Sequence, residues 1–143
     1  MKPLQNVLVP VDGSLSAIHA AEYASSIAGK YGAQVHLIHV IDLNQYMNSF
    51  EQVSGSGYLP QEIMQAGKKI LQAAQDRVDA DVSCRQILEI GRPAEKILSS
   101  ADRIHADLII MSSRGMSALK QALLGSVSQY VLLHAPCPVL IVK

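Results

Sequence analysis

Tryptophan is missing from this 143-residue chain, phenylalanine occurs once, as Phe50, and five tyrosines complete an aromatic share of only 4%. Proteins that grip single-stranded nucleic acid stack its bases on aromatic rings, so this scarcity argues against that role. Excess charge is missing too: 12 basic residues balance 12 acidic ones, which leaves no electrostatic footprint for nucleic acid or an anionic membrane. Cys84 and Cys137 are too few for a disulfide framework, and neither belongs to a Cys-x-x-Cys pair. They read as small apolar core residues whose thiols stay reduced, as in cytoplasm. No apolar run approaches the ~20 residues that cross a bilayer. The opening Met1-Lys2-Pro3-Leu4-Gln5-Asn6 lacks the apolar core of a signal peptide. These absences predict a cytoplasmic protein with no membrane insertion, folded as one domain over 1–143.

What is present is alternation of two hydrophobic patterns. Val7-Leu8-Val9-Pro10-Val11 is short, β-branched and continuously apolar, as a strand buried on both faces of a parallel sheet requires. Ala17, Ala20, Ala21, Ala24, Ile27, Ala28 and Tyr31 then recur at helical spacing up to Gly32. A second strand spans Ala33 to Ile41. The stretch from Asp42 to Pro60 has no useful periodicity and reads as an insertion or a lid; its Gly55-x-Gly57 lacks the context of a dinucleotide fingerprint. Ile63, Gly67, Ile70, Leu71, Ala74 and Val78 mark a second helix, and Val82 to Ile90 a third, less apolar strand suited to an edge. After Gly91-Arg92-Pro93 comes a clear amphipathic helix through Ala94, Ile97, Leu98, Ala101 and Ile104. Leu108 to Met111 is the fourth strand, Val127 to His134 a further helix, and Val139 to Val142 the fifth strand. Strand and helix alternation predicts an α/β fold: a doubly wound, Rossmann-like, five-stranded parallel sheet with strand order 3-2-1-4-5.

In such sheets ligands bind at the carboxyl ends of the strands where the order reverses, here between strands 1 and 4. That rule brings Pro10, Val11 and Asp12 beside Met111 and Ser112, with Val40 at the end of strand 2 as the other neighbour. The segment that follows strand 4 contains Gly115, Gly125, Ser126 and Val127. Glycines allow close backbone approach, and the first-turn N–H groups of a helix attract phosphate. An ordinary glycine turn with Ser126 as helix cap is the alternative. The adenine of a nucleotide, bonded by backbone groups, could lie between strands 1 and 2, with the nucleotide's phosphates extending to Gly115, Gly125 and Ser126.

Several segments together resemble the universal stress protein family over nearly the whole chain. They are Val9-Pro10-Val11-Asp12-Gly13-Ser14, His39-Val40-Ile41-Asp42, Gly91-Arg92-Pro93, Ala106-Asp107-Leu108-Ile109-Ile110-Met111, Leu124-Gly125-Ser126-Val127-Ser128 and His134-Ala135-Pro136-Cys137-Pro138-Val139. The family's ATP-binding branch carries Gly, two residues, Gly, nine residues, then Gly and Ser or Thr. Gly115, Gly125 and Ser126 match, whereas Ser112 stands at the first glycine's position. The resemblance implies ATP, with magnesium bound through its phosphates: adenine near Val11, Asp12 and Val40, ribose at the end of strand 4, phosphates on Gly115, Gly125, Ser126 and Val127. Serine at 112 fits if the position has ordinary β dihedrals and costs affinity if it needs positive φ.

Asp12 suits ribose or a phosphate-bound cation, and equally the amides of its own turn. Arg114 and Lys120 suit phosphate or solvent, and Met111 and Met116 suit packing. His36 and His39 point to opposite faces of one strand and cannot share a metal, while His134 favours a helix C-terminus. The pyrophosphatase loop Ser-Gly-Gly-x-Asp-Ser and the nucleotidyltransferase His-x-Gly-His are not matched by Asp12-Gly13-Ser14-Leu15-Ser16 or Ala17-Ile18-His19-Ala20. Slow ATP hydrolysis is then the most the chain supports. The apolar last strand, Val139 to Val142, predicts a homodimer, as in relatives. Two functions follow: an ATP-binding stress-response regulator whose occupied form meets a regulatory protein partner, or a nucleotide-independent dimeric interaction protein in which Ser112 marks a lapsed site.

Overall fold

The computed structural model describes residues 2–46, 60–113 and 124–143. The expectations for Ser54-Gly55-Ser56-Gly57, Arg114, Gly115, Met116 and Lys120 fall outside the described residues. The chain runs β1 (Asn6–Pro10), α1 (Leu15–Tyr31), β2 (Gln34–Ile41), α2 (Gln61–Gln75), β3 (Cys84–Ile90), α3 (Pro93–Arg103), β4 (Leu108–Ser112), α4 (Ser126–His134) and β5 (Val139–Val142). The five strands form one parallel sheet in the order β3-β2-β1-β4-β5, as the alternation predicted.

Strand residues alternate between two layers of core. Val7, Val9, Val35, Leu37 and Ile110 face α1 and α2, whereas Leu8, Ile38, Val40, Ile109 and Met111 face α3 and α4. The α1 stripe is almost all alanine: Ala17, Ala20, Ala21, Ala24 and Ala28 are each no more than 1% exposed, and side chains this short let the helix lie close on the sheet. Ser14 caps that helix, its Oγ accepting from Ala17 N–H at 3.2 Å, and Gly32 ends it at φ 66. Gly67, an apparent weakness in α2, sits where a Cβ would lie 2.9 Å from Leu88 Cδ1 and 3.3 Å from His39 Cδ2. Its cost in helix propensity is the condition for packing α2 on β2 and β3.

The opposite end of the sheet is tied by a residue that periodicity did not single out. Asp107 Oδ2 accepts from both Gln5 N–H and Asn6 N–H at 2.9 Å, while its own N–H donates to Asn6 C=O at 2.8 Å. One carboxylate thereby sets the start of β1 against the start of β4.

His36, 6% exposed, is held there by Asn6, whose Oδ1 lies 3.1 Å from Nε2. Burial, and secondarily the Arg85 guanidinium, holds its pKa below the ordinary value. Between the folded and unfolded pKa values the unfolded chain binds more protons, so stability is complete above the unfolded value of about 6.5 and declines as pH falls below it. Urea midpoints measured between pH 7.5 and 5 should fall with pH in the wild type. In His36→Gln, which cannot titrate, that fall should be smaller.

Candidate functional site

At the carboxyl end of the sheet the strands stop at different heights. Pro10 and Ile38 are the last paired residues of β1 and β2, yet β2 runs three residues further, to Ile41. On the other side, Val7 pairs with Leu108 and Leu8 with Ile109, a register that carried forward sets Pro10 level with Met111 and Val11 level with Ser112. The tips of β1 and β4 are therefore neighbours. Beyond Val11 the chain turns sharply: Asp12 Oδ1 accepts from Ser14 N–H at 3.0 Å, and Gly13 has φ 90 with Ile70 packed beneath it. The carboxylate thus serves its own turn, one of the two roles its position suggested.

Val11 N–H donates to Ile38 C=O at 2.8 Å. Alternate residues of a strand direct their peptide groups to the same neighbour, so Val40, two residues on, directs its N–H and C=O toward β1. Among the described residues, the bond that would continue the ladder, Val40 N–H to Val11 C=O, is not made. The Val11 carbonyl is taken instead by His39 Nδ1 at 2.8 Å. A donor and an acceptor of Val40, a residue only 9% exposed, consequently face the space past the end of β1.

The β4 tip is clamped to the start of α4. Gly125 N–H donates to Ser113 C=O at 2.8 Å, Ser113 N–H to Val142 C=O at 3.1 Å, and buried Ser128 Oγ to Ser112 C=O at 2.8 Å. Of the two roles open to the Ser126 hydroxyl, capping is excluded: Gly125 occupies the cap position, with φ −63 and ψ 159, and Ser126 is the first helical residue. Glycine has no side chain to satisfy first-turn N–H groups, and its carbonyl accepts from Gln129 N–H at 2.9 Å. The N–H groups of Ser126 and Val127 belong to the first turn of this helix, at the positive end of its dipole.

Ser112 pairs with Val142 as an ordinary strand residue, and among the described non-glycine residues only His105 has positive φ. A side chain at that position is therefore unstrained. Met111, 4% exposed, packs with Val131 and Ile97, so its side chain belongs to the core while its backbone lies at the tip. The cysteines behave as small apolar residues: burial pushes the Cys84 thiol up to about 11, and burial, then Asp107 and Asp102, raises that of Cys137. Among the described residues no three His, Cys, Asp or Glu side chains gather as a metal site, and no helix is long and apolar enough to cross a membrane. A shallow groove lined by Lys68, Leu71, Gln72, Gln86 and Leu88 runs along α2 and β3, but it shares no residue with the strand tips. Sequence reasoning missed Ser128, one helical turn beyond Gly125, and His39, directly before Val40.

Comparison with known proteins agrees with this architecture. The sequence model described as the universal stress protein family matches residues 3–143. A universal stress protein of Methanocaldococcus jannaschii is 34% identical over 97% of this chain and 82% of its own length; universal stress protein YxiE of Bacillus subtilis is 33% identical over 96% and 97%. Among solved structures, a universal stress protein in complex with cAMP superposes with a TM-score of 0.77 at 24% identity, covering 99% of each chain. One from Archaeoglobus fulgidus in complex with dAMP gives 0.76 at 23% identity, covering 99% of this chain and 100% of that one.

The Ser128 bond yields a direct check. Ser128→Ala removes the hydroxyl that donates to the Ser112 carbonyl, which should cost about 0.5–1.5 kcal/mol in chemical denaturation. A stability equal to the wild type's would mean that this bond does not hold α4 on β4.

Proposed function

The chain belongs to the universal stress protein family, and on that premise we propose that it is a regulatory protein that binds an adenine nucleotide, ATP with a magnesium ion, at the strand 1 and strand 4 switch point. The observation that carries this reading is the Val40 peptide pair, a donor beside an acceptor at the end of β2 with the β1 ladder finished. Adenine presents the complement on its Watson–Crick edge, N1 accepting and the 6-amino group donating. Backbone groups recognising that edge need no aromatic platform, which agrees with the sequence's shortage of rings. Solved family members in complex with cAMP and dAMP add support for an adenine nucleotide.

From the base, the ligand extends across Pro10, Val11 and Asp12 toward Met111 and Ser112, where the ribose would lie. Its phosphates would meet the N–H groups of Ser126 and Val127, the Gly125 backbone and the Ser126 hydroxyl, with Gly115 completing the glycine pattern. Anionic oxygens suit that helix start, whose cap residue has no side chain. The residues fit a nucleotide whose magnesium is held through its phosphates: a bound cation would offset phosphate charge, and Asp12 is the carboxylate nearest in sequence to the turn.

Regulation would follow from occupancy. Nucleotide shifts the surface shown to a protein partner only by its differential affinity for the two states of that surface. Dimerisation through β5 belongs to the same reading: Val139–Val142 is an edge strand whose four apolar residues are all partly exposed, and Leu132 and Leu133 are exposed on the preceding helix.

Three measurements test the proposal. Mass spectrometry of the purified protein should find a co-purified adenine nucleotide, and calorimetry with ATP and magnesium should give saturable heat. Gly125→Val, tolerated by the backbone at φ −63, should abolish that heat and leave the thermal transition in place; unchanged affinity would count against the phosphate position. No heat from the wild type, with Gly125→Val and Ser126→Ala equally silent, would favour a nucleotide-independent interaction protein. Light scattering at micromolar concentration should report a dimer; a strict monomer contradicts pairing through β5.

A further inference from the structure

The carbonyl of Val11 is the acceptor that a longer β1–β2 ladder would offer to Val40 N–H, and it is occupied by a side chain. His39 lies immediately before Val40 and on the opposite face of β2, toward α2. Its Nδ1 is 2.8 Å from the Val11 oxygen, and since a carbonyl only accepts, Nδ1 carries the hydrogen. The imidazole has room for this because α2 passes over it at Gly67, where an added Cβ would come within 3.3 Å of the ring. Ile70, one turn along the same helix, packs under Gly13, so α2 supports both the ring and the turn that carries β1 away.

We propose that His39 is the positioning residue of the nucleotide site: by donating to the Val11 carbonyl it holds that oxygen out of line with Val40 N–H and keeps the Val40 N–H and C=O available to a base. This rests on the nucleotide reading above and adds the group that creates the base-recognising edge. Without the imidazole, Val11 C=O is an unpaired acceptor beside an unpaired N–H, and closing the ladder satisfies both. The site then loses its adenine donor without any change in the residues that touch the ligand. Parallel pairing would extend by one bond and the base would meet a finished sheet.

The role separates from ordinary structural support by its readout at one amide. In nucleotide-free wild-type protein, hydrogen exchange read by NMR should find Val40 N–H exchanging much faster than Ile38 N–H. In His39→Leu the Val40 amide should become protected without nucleotide, ATP affinity should fall about tenfold, as for the loss of one hydrogen bond to the base, and the preference for ATP over ITP should shrink. His39→Asn, which sets an amide N–H where Nδ1–H stood, should restore both the fast Val40 exchange and the ATP preference. A Val40 amide already protected in the nucleotide-free wild type overturns the proposal, even should His39→Leu fail to fold. So does His39→Leu with Val40 exchange unchanged. Failure of the wild type to bind ATP would overturn the nucleotide reading itself, and the exchange comparison tests His39 independently of it.

Discussion

Pairing between β1 and β2 ends at Pro10 and Ile38 although β2 continues to Ile41, and this unequal ending is the constraint on which the rest of the carboxyl face depends. A parallel ladder that ran to the end of both strands would consume every peptide group there. Stopping one strand early leaves polar backbone at the rim of a buried sheet, where an unmet donor or acceptor costs 1–3 kcal/mol or more. Such an ending persists only where something else satisfies the groups. The Asp12-Gly13-Ser14 turn takes the chain away just past Val11: Asp12 binds the Ser14 amide and Gly13 has a positive φ, so the chain leaves the sheet plane into α1.

The two halves of the sheet reach this end by different means. On the β1 side, an alanine stripe brings α1 down onto the strands, and the turn is short and internally bonded. On the β4 side, three hydrogen bonds from Ser128, Gly125 and Ser113 fasten the strand tip to α4 and to β5. The helix start is thereby set by tertiary bonds rather than by its own cap. A glycine cap is intrinsically weaker than serine or aspartate only by tenths of a kcal/mol, and it keeps the approach to the first-turn amides clear.

Much of this was legible in the residues. Continuous apolar runs gave the strands, alanine and isoleucine at helical spacing gave the helices, and alternation with right-handed crossovers, taking the two halves to wind outward in opposite directions, gave the strand order. The adjacency of Val11 and Ser112 followed from that order. What stayed hidden depends on atoms meeting across the fold. Capping stayed open for Ser126 because serine favours that position, but the cap is defined by dihedrals, and those belong to Gly125. Asp107 sat inside an apolar motif, and nothing in its spacing told of the two amides of Gln5 and Asn6. His39 was assigned correctly to the face opposite His36, yet its bond to Val11 forms across the fold, beneath a helix that passes closely at Gly67.

Ser113 joins two regions usually considered apart. Its N–H holds the last residues of β5, and its C=O holds the residue that starts α4. A displacement of the outermost strand would therefore reach the helix mouth through a single residue. Thermodynamic reciprocity then applies: whatever free energy a protein docked on that rim adds to the grip of the mouth on its contents, those contents return to the docking, so occupancy would be read out as assembly.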